Sequence, residues 1–517
     1  MIAIVKSTAL HGLDGQVVEV EVDVSNGLPS FDIVGLPDVS VRESKDRVRA
    51  AIKNSGLEFP VRRITVNLAP ADVKKEGPVY DLPIAVGILA ATEQLTPDQY
   101  GRFAYLGELS LNGSLRGVAG TLPSVLAAVG ASMDEIVVPA ENAAEAALVE
   151  GANIYPAVSL AELTGFLRGE INIPPYVLDL EDYLRSAPFD WPDFADVKGQ
   201  QTARRSLEVA AAGSHNLIMF GSPGSGKTML ARRLPGIMPD MTFQESIETT
   251  KIYSLAGLLT ADTPLVNRRP FRSPHHTAST IGLVGGGRNP RPGEISLAHN
   301  GVLFLDEMPE FQKDALEALR QPLEDGIVTI SRASASLTYP ARLMLVGALN
   351  PCPCGYFGDP MRECTCTPHQ VQKYISRLSG PLLDRIDICI EVPRLPFEEI
   401  SSNEKPEGSA SIKKRVEAAR ERQRERFMNE DHKRCKAPTC NAQMGSKEVR
   451  QYCKMTKGAQ NLLKGAFSKF SLSARSHDKI LKVSRTIADL DGSKLIEEFH
   501  LAEAIQYRSL DRIYSYY

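Results

Sequence analysis

Eight consecutive residues concentrate the clearest chemistry of the chain: Gly221, Ser222, Pro223, Gly224, Ser225, Gly226, Lys227 and Thr228. Glycines at this spacing let a loop turn its backbone N–H groups inward around phosphate oxygens, in conformations that side chains would forbid. The lysine then reaches the β- and γ-phosphates of a nucleotide, and the hydroxyl after it ligates magnesium. Further along, Val302-Leu-Phe-Leu-Asp-Glu307 ends an apolar run in two carboxylates. Asp306 is the expected second partner of the magnesium, and Glu307 the expected base for an attacking water. The two motifs together imply ATP and Mg2+ as cofactors and hydrolysis as the reaction.

A second constellation follows Asn350 directly. Cys352 and Cys354, then Cys364 and Cys366, form a Cys-x-Cys…Cys-x-Cys array. Four soft thiolates suit a tetrahedral Zn2+. The one-residue gaps are tighter than the usual two, and free thiols or redox-sensitive disulfides are the competing readings. An iron–sulfur cluster has no further support in the surrounding sequence. Cys435 and Cys440 are isolated, and Cys389 falls in an apolar run that reads as core. The adjacent His275 and His276 would point apart, which favours a loop contact to DNA or a neighbour over a metal.

These residues need elements to hold them. Asn216–Phe220 is a short apolar run that reads as a buried strand, and Thr228–Leu234 reads as a helix, so the phosphates would sit at a helix N-terminus. Val302–Leu305 and Val346–Leu349 read as further buried strands, and Gly326–Tyr339 as a hairpin. Nearer the N-terminus, Val17–Val24 alternates with period two, Ile64–Leu68 and Ile136–Val138 look like strands, and Ala85–Ala91 and Pro123–Val129 look helical.

A chain of 517 residues exceeds one core and predicts about three domains at ~150 residues each. The expected boundaries are an α+β domain over 1–170, a proline-rich linker over 171–195, an α/β nucleotide-binding domain over 196–395 and a helical domain over 396–517. The net charge of −4 carries no global basic footprint, so any nucleic-acid contact must be local. The charged run Lys413–Phe427 reads as a solvated helix face. No stretch approaches the ~20 apolar residues of a membrane span, and the N-terminal apolar run is too short for a signal peptide. The expectation is a cytoplasmic chain with no membrane partner.

Further residues carry a family resemblance. Val346–Asn350 resembles the strand whose terminal polar residue senses the γ-phosphate in AAA+ proteins. Leu382-Leu-Asp-Arg-Ile-Asp387 resembles the segment bearing an arginine finger, and Ser473-Ala-Arg475 the lid segment called sensor 2. Phe271-Arg-Ser-Pro-His-His-Thr-Ala-Ser279, Pro292–Gly301 and the 326–339 hairpin resemble insertions of the magnesium-chelatase branch. With its N-terminal region, the whole chain resembles the YifB/ComM family of magnesium-chelatase-like AAA+ ATPases. The resemblance implies a homohexamer acting on single-stranded or branched DNA as a helicase in branch migration during natural transformation. It further implies that Asn350 positions the water, that Arg385 acts in trans on a neighbour's nucleotide, and that Arg475 is the lid arginine, with Arg485 as the alternative. Arg272, Arg288, Arg291 and Arg332 would meet DNA phosphates.

The N-terminal region carries a second resemblance, to Lon-type proteases, through Lys75-Glu-Gly-Pro-Val-Tyr-Asp-Leu-Pro-Ile84 and Gly107–Gly120. Val79 stands at the serine position and Ser124 at the lysine position. Valine offers no nucleophile and serine no amine base, so the expectation is a proteolytically inactive domain. Lys74, Lys75 and Arg116 are its candidate DNA contacts. Against the DNA motor stand two other classes: an ATPase that remodels a protein partner, as a chelatase subunit does, and an ATP-dependent protease, which Val79 and Ser124 disfavour.

Overall fold

In the computed structural model the described residues are 2–180, 183, 191–287, 290–332, 335–359, 361–401, 406–428, 438–470 and 473–508. Arg288 and Cys435 lie outside them, as do the side chain of Arg332 and part of the 171–195 stretch. The chain divides into two compact units. One comprises Met1–Pro188, Thr242–Asn267 and Ser331–Tyr339; the other comprises Phe189–Met241, Arg268–Ile330 and Pro340–Tyr517. Both are mixed α/β.

The first unit is built on a seven-stranded sheet. Its order is Ser30–Val34, Arg63–Ala69, Asp14–Ser25, Ile2–His11, Ala104–Tyr105, Glu135–Pro139 and Asn153–Ala157. Asp14–Ser25 pairs antiparallel with both of its neighbours, and the other pairs are parallel. The period-two pattern works as expected: Val18, Val20, Val22 and Val24 are buried while Glu19 is exposed. Helix Asp81–Ala91 is buried along its whole length and lies on the strands Ile2–His11 and Asp14–Ser25. Its apolar run leaves no polar face, as a helix enclosed on all sides requires.

The segment Thr242–Asn267 follows the phosphate-loop helix in sequence yet folds with this first unit. Its helix Phe243–Ala256 opens with a capping box between Thr242 and Glu245. It lies against helix Thr121–Gly130, where Ser254 accepts a 3.0 Å bond from Gly120 N. Glu145, buried here, accepts from Leu122 N at 2.8 Å and from the Ser254 hydroxyl. Burial pushes its carboxyl above the usual range.

The second unit is organised by five parallel strands in the order Phe271–Arg272, Val302–Leu305, Met344–Leu349, Leu217–Phe220 and Ile388–Glu391. The three central strands are buried end to end, so they read as continuous apolar runs without alternation. Cys389, in the edge strand, is core as expected. Helices Gln201–Gly213, Ser409–Met428 and Ala474–Leu490 pack on one another in the same unit. The charged run at 413–427 is a helix, but Val416, Ala419, Gln423 and Phe427 are buried. No described helix is long and apolar enough to cross a membrane.

Candidate functional site

The register of the parallel strands brings the expected nucleotide residues to one edge. Phe220 pairs with Leu349, and Leu305 with Gly347, so Gly221, Asn350 and Asp306 all leave the carboxyl ends of neighbouring strands. Open α/β sheets bind ligands at that edge. Gly221 is required there by close approach, since a Cβ would fall 2.2 Å from the Val392 carbonyl oxygen. Gly226, at φ 95°, makes the left-handed step that starts the helix Lys227–Arg233.

Lys227 is buried. Its Nζ donates to Gly221 O at 2.6 Å, Ser222 O at 3.0 Å and Asn350 Oδ1 at 3.2 Å. Burial pulls the ammonium down to about 8, against the opposing pull of Asp306 and Glu307. The Thr228 hydroxyl donates to Asp306 Oδ2 at 2.7 Å. Two features fit a magnesium triphosphate. The Thr228 and Asp306 oxygens already converge as a hard-oxygen pair suited to Mg2+. Ser225 Oγ is buried with no hydrogen-bond partner, an orphan that a ligand oxygen would satisfy. Lys227 and the loop amides would then hold the phosphates, and Thr228 and Asp306 the metal, which supplies charge neutralisation.

Glu307 takes a left-handed backbone, φ 50° and ψ 44°, an uncommon conformation for a non-glycine residue. Its side chain is half exposed, and the His276 Nδ1 lies 3.5 Å from its Oε2. The histidine pair departs from expectation: the His275 and His276 rings lie 4.1 Å apart and do not diverge. Both lie in a turn closed by Ala278 N on His275 O at 2.9 Å, so strand alternation does not apply.

Two residues at this site escaped the sequence reading, and His276, read there as a loop contact to DNA or a neighbour, lies instead against Glu307. Gln200 sits in a left-handed conformation and bridges Ser225 O at 3.3 Å and Pro393 O at 2.7 Å. Asp359 Oδ2 accepts the Ser222 hydroxyl at 2.5 Å. Only Gly358-Asp-Pro360, a turn dipeptide pattern, left any signal.

The arginines are placed differently. Arg385 donates to Arg320 O at 3.0 Å and Pro381 O at 2.6 Å, and pairs with Glu324. Arg475 is exposed, 3.5 Å from Asp384. The helix that it opens grips the Arg385 loop, because Lys479 Nζ donates to Asp384 O and to Ile386 O, the latter at 2.9 Å. Arg485 is 2% exposed, with its Nε 3.1 Å from Asp489 and its other nitrogens on Lys494 O and Ser493 O. Arg272 is engaged by both oxygens of Glu294, at 2.6 and 2.7 Å, whereas Arg291 is exposed.

The four cysteines converge, their Sγ atoms all within 4.8 Å of one another. Cys440 is buried and apart from them. In the first unit, Val79 packs against the cluster that holds Leu122 and Val125, on either side of buried Ser124. Lys75, a candidate DNA contact, is instead fully buried, and its ammonium donates to Pro70 O. Lys74 pairs with Glu76 at 2.5 Å, and Arg116 is exposed.

Three family models match this chain: magnesium chelatase, subunit ChlI, over residues 193–400; subunit ChlI of Mg-chelatase over 20–142; and magnesium chelatase, subunit ChlI C-terminal, over 406–508. The competence protein ComM of Haemophilus influenzae is 46% identical over 99% of this chain and 98% of its own length. The uncharacterised protein YifB of Escherichia coli is 45% identical over the same shares. The magnesium-chelatase 67 kDa subunit of Chlorobaculum tepidum is 27% identical over 31% of this chain and 23% of its own.

Proposed function

The chain belongs to the YifB/ComM family of magnesium-chelatase-like proteins, and from that premise we propose that it is an ATP-driven DNA motor that works as a homohexamer in recombination. The family implies an ATPase with ATP and Mg2+. The observation that carries the reading is the gathering of Lys227, Thr228, Asp306 and Asn350 at one sheet edge, with Glu307 adjacent. Hydrolysis follows from these parts. Lys227 and Thr228 orient the phosphates, Glu307 takes the proton of the attacking water, and Asn350 positions that water.

Arg385 supports a ring. It sits on the loop before the edge strand, bonded to Arg320 and Glu324 and not to its own phosphate loop. To act on a neighbouring subunit's γ-phosphate, whose developing charge it would stabilise, this cation exchanges its Glu324 partner for the phosphate. Arg475, exposed at the head of the helix that grips this loop, serves in our reading as the lid arginine, and the helices over 396–517 as the lid. The first unit is a Lon-protease-like domain without its dyad, since Val79 is aliphatic and Ser124 is enclosed in a helix. Its role is assembly or DNA contact. The relative named a competence protein points the motor toward branch migration during transformation. The competing class, remodelling of a protein partner, draws on the magnesium-chelatase family models, although the chelatase subunit of Chlorobaculum tepidum aligns over less than a third of the chain.

The test is ATP turnover with single-stranded and branched DNA at low salt, followed by migration of a three- or four-way junction. Stimulation and migration are expected; indifference to DNA sinks the motor and leaves the remodelling ATPase. Mixing Arg385→Ala subunits with Glu307→Gln subunits should restore part of the turnover, because one of the two kinds of mixed interface pairs an intact finger with an intact base. No recovery refutes action in trans.

A further inference from the structure

The segment between Asn350 and Thr367 has no helix and no strand among its described residues, yet it lies directly on the phosphate loop. Little apolar burial holds it: Met361 is 79% exposed and Phe357 38%. What converges within it is sulfur. Cys352 Sγ lies 3.3 Å from Cys354 Sγ and 3.6 Å from Cys364 Sγ, and Cys354 lies 3.6 Å from Cys364. A tetrahedral zinc at ~2.3 Å from each sulfur would set neighbouring sulfurs about 3.8 Å apart, so a small expansion of this cluster accommodates the ion. Backbone amides already point at the sulfurs: Gly355 N at Cys352 (3.2 Å), Cys354 N at Cys366 (3.4 Å) and Cys366 N at Cys364 (3.4 Å). Such bonds orient ligating thiolates and disperse their charge.

The same segment touches the nucleotide loop at two points. Asp359 accepts the Ser222 hydroxyl while also accepting Met361 N at 2.8 Å and Arg362 N at 3.2 Å. The Gly355 backbone abuts the Pro223 ring, where a Cβ would fall 2.6 Å from its carbons. Asn350, which accepts from Lys227, heads the segment. A loop with so little core needs another staple, and a tetrathiolate metal supplies folding energy directly.

We propose that Cys352, Cys354, Cys364 and Cys366 bind one structural zinc ion, and that the loop so folded is a clamp holding the phosphate loop through Ser222 and Pro223. The clamp half rests on the ATP reading of that loop; the zinc half does not. Zinc loading thereby sets nucleotide affinity without touching the nucleotide.

The full-length protein is purified from metal-replete medium and its zinc counted by elemental analysis. A parallel sample is exchanged with cobalt and examined for the thiolate-to-metal charge-transfer band of a tetrathiolate site. A fluorescent ATP analogue then measures affinity in four proteins: wild type, wild type stripped by a chelator and reloaded, Cys354→Ser/Cys366→Ser, and Asp359→Asn. About one zinc per chain is expected in wild type and Asp359→Asn, and none in the double variant. Stripping, the double variant and Asp359→Asn should each weaken nucleotide binding by about tenfold, the worth of one hydrogen bond to a carboxylate, and zinc should restore the stripped protein. Asp359→Asn keeps the clamp testable if the cysteine variant fails to fold. A metal-free wild type with no cobalt band overturns the zinc site. Zinc present with unchanged affinity after stripping and in Asp359→Asn overturns the clamp. Wild type that binds zinc but no nucleotide overturns the ATP reading and the clamp with it, while the metal site stands.

Discussion

Replacing Lys227 by Met, which keeps the stem and removes the charge, separates the cost of the buried ammonium from its use. Burial brings that group from 10.5 to about 8, and at 1.36 kcal/mol per pH unit the nucleotide-free protein bears about 3 kcal/mol for carrying the charge. Removing it relieves that cost but strips three acceptors, Gly221 O, Ser222 O and Asn350 Oδ1, each worth ~1 kcal/mol. The two nearly cancel, so thermal unfolding without nucleotide should move little. Binding has no such offset. Loss of a charged contact to phosphate, about 3 kcal/mol, should weaken magnesium-ATP binding by about a hundredfold.

The pH dependence gives the sharper arm. Below about 8, free and bound Lys227 both carry a proton, and affinity does not depend on this group. Above it the free lysine is neutral, while phosphate charge holds the bound one protonated. Binding must then take up a proton, and affinity falls by up to tenfold per pH unit. A fluorescent ATP analogue titrated between about pH 7 and 9.5 should show this fall in wild type, with a flat profile in Lys227→Met. A flat wild-type profile, or equal slopes in the two proteins, would refute the assignment of the buried ammonium as the phosphate ligand.

Four further substitutions test other parts of the protein. Glu307→Gln should bind nucleotide normally while turnover drops by at least about a hundredfold, the scale of a lost general base; His276→Ala, which frees the Glu307 carboxylate, should lower turnover by about tenfold at unchanged affinity, and normal turnover in it would exclude a positioning role. Arg485→Ala removes one of two arginines from buried Asp489, which keeps Arg426 and Asn441, so it should cost about 1.5–3 kcal/mol in unfolding experiments through the lost charged hydrogen bonds, whereas Arg475→Ala should stay within ~0.5 kcal/mol of wild type and act on turnover alone.

The sequence by itself determined the phosphate loop, the acidic strand and the buried strands around them. Those features are local: glycine freedom, apolar runs and side-chain chemistry at fixed spacing act over a few residues. The alternation at Val17–Val24 was legible for the same reason. Which residues share the site was decided by strand register. The pairing of Phe220 with Leu349 sets Asn350 on Lys227, two residues 123 positions apart in the chain, and no spacing rule reports that. Gln200 and Asp359 reach the phosphate loop, and His276 reaches Glu307, from separate segments through loop conformations that carry no periodicity. Lys75 was misread as surface because a charge in sequence says nothing of enclosure. The docking of Thr242–Asn267 on the first unit likewise depends on Gly120, Leu122 and Glu145, which are remote in sequence. Chemistry was written locally in this chain, and its assembly into one site was left to contacts that only the folded sheet creates.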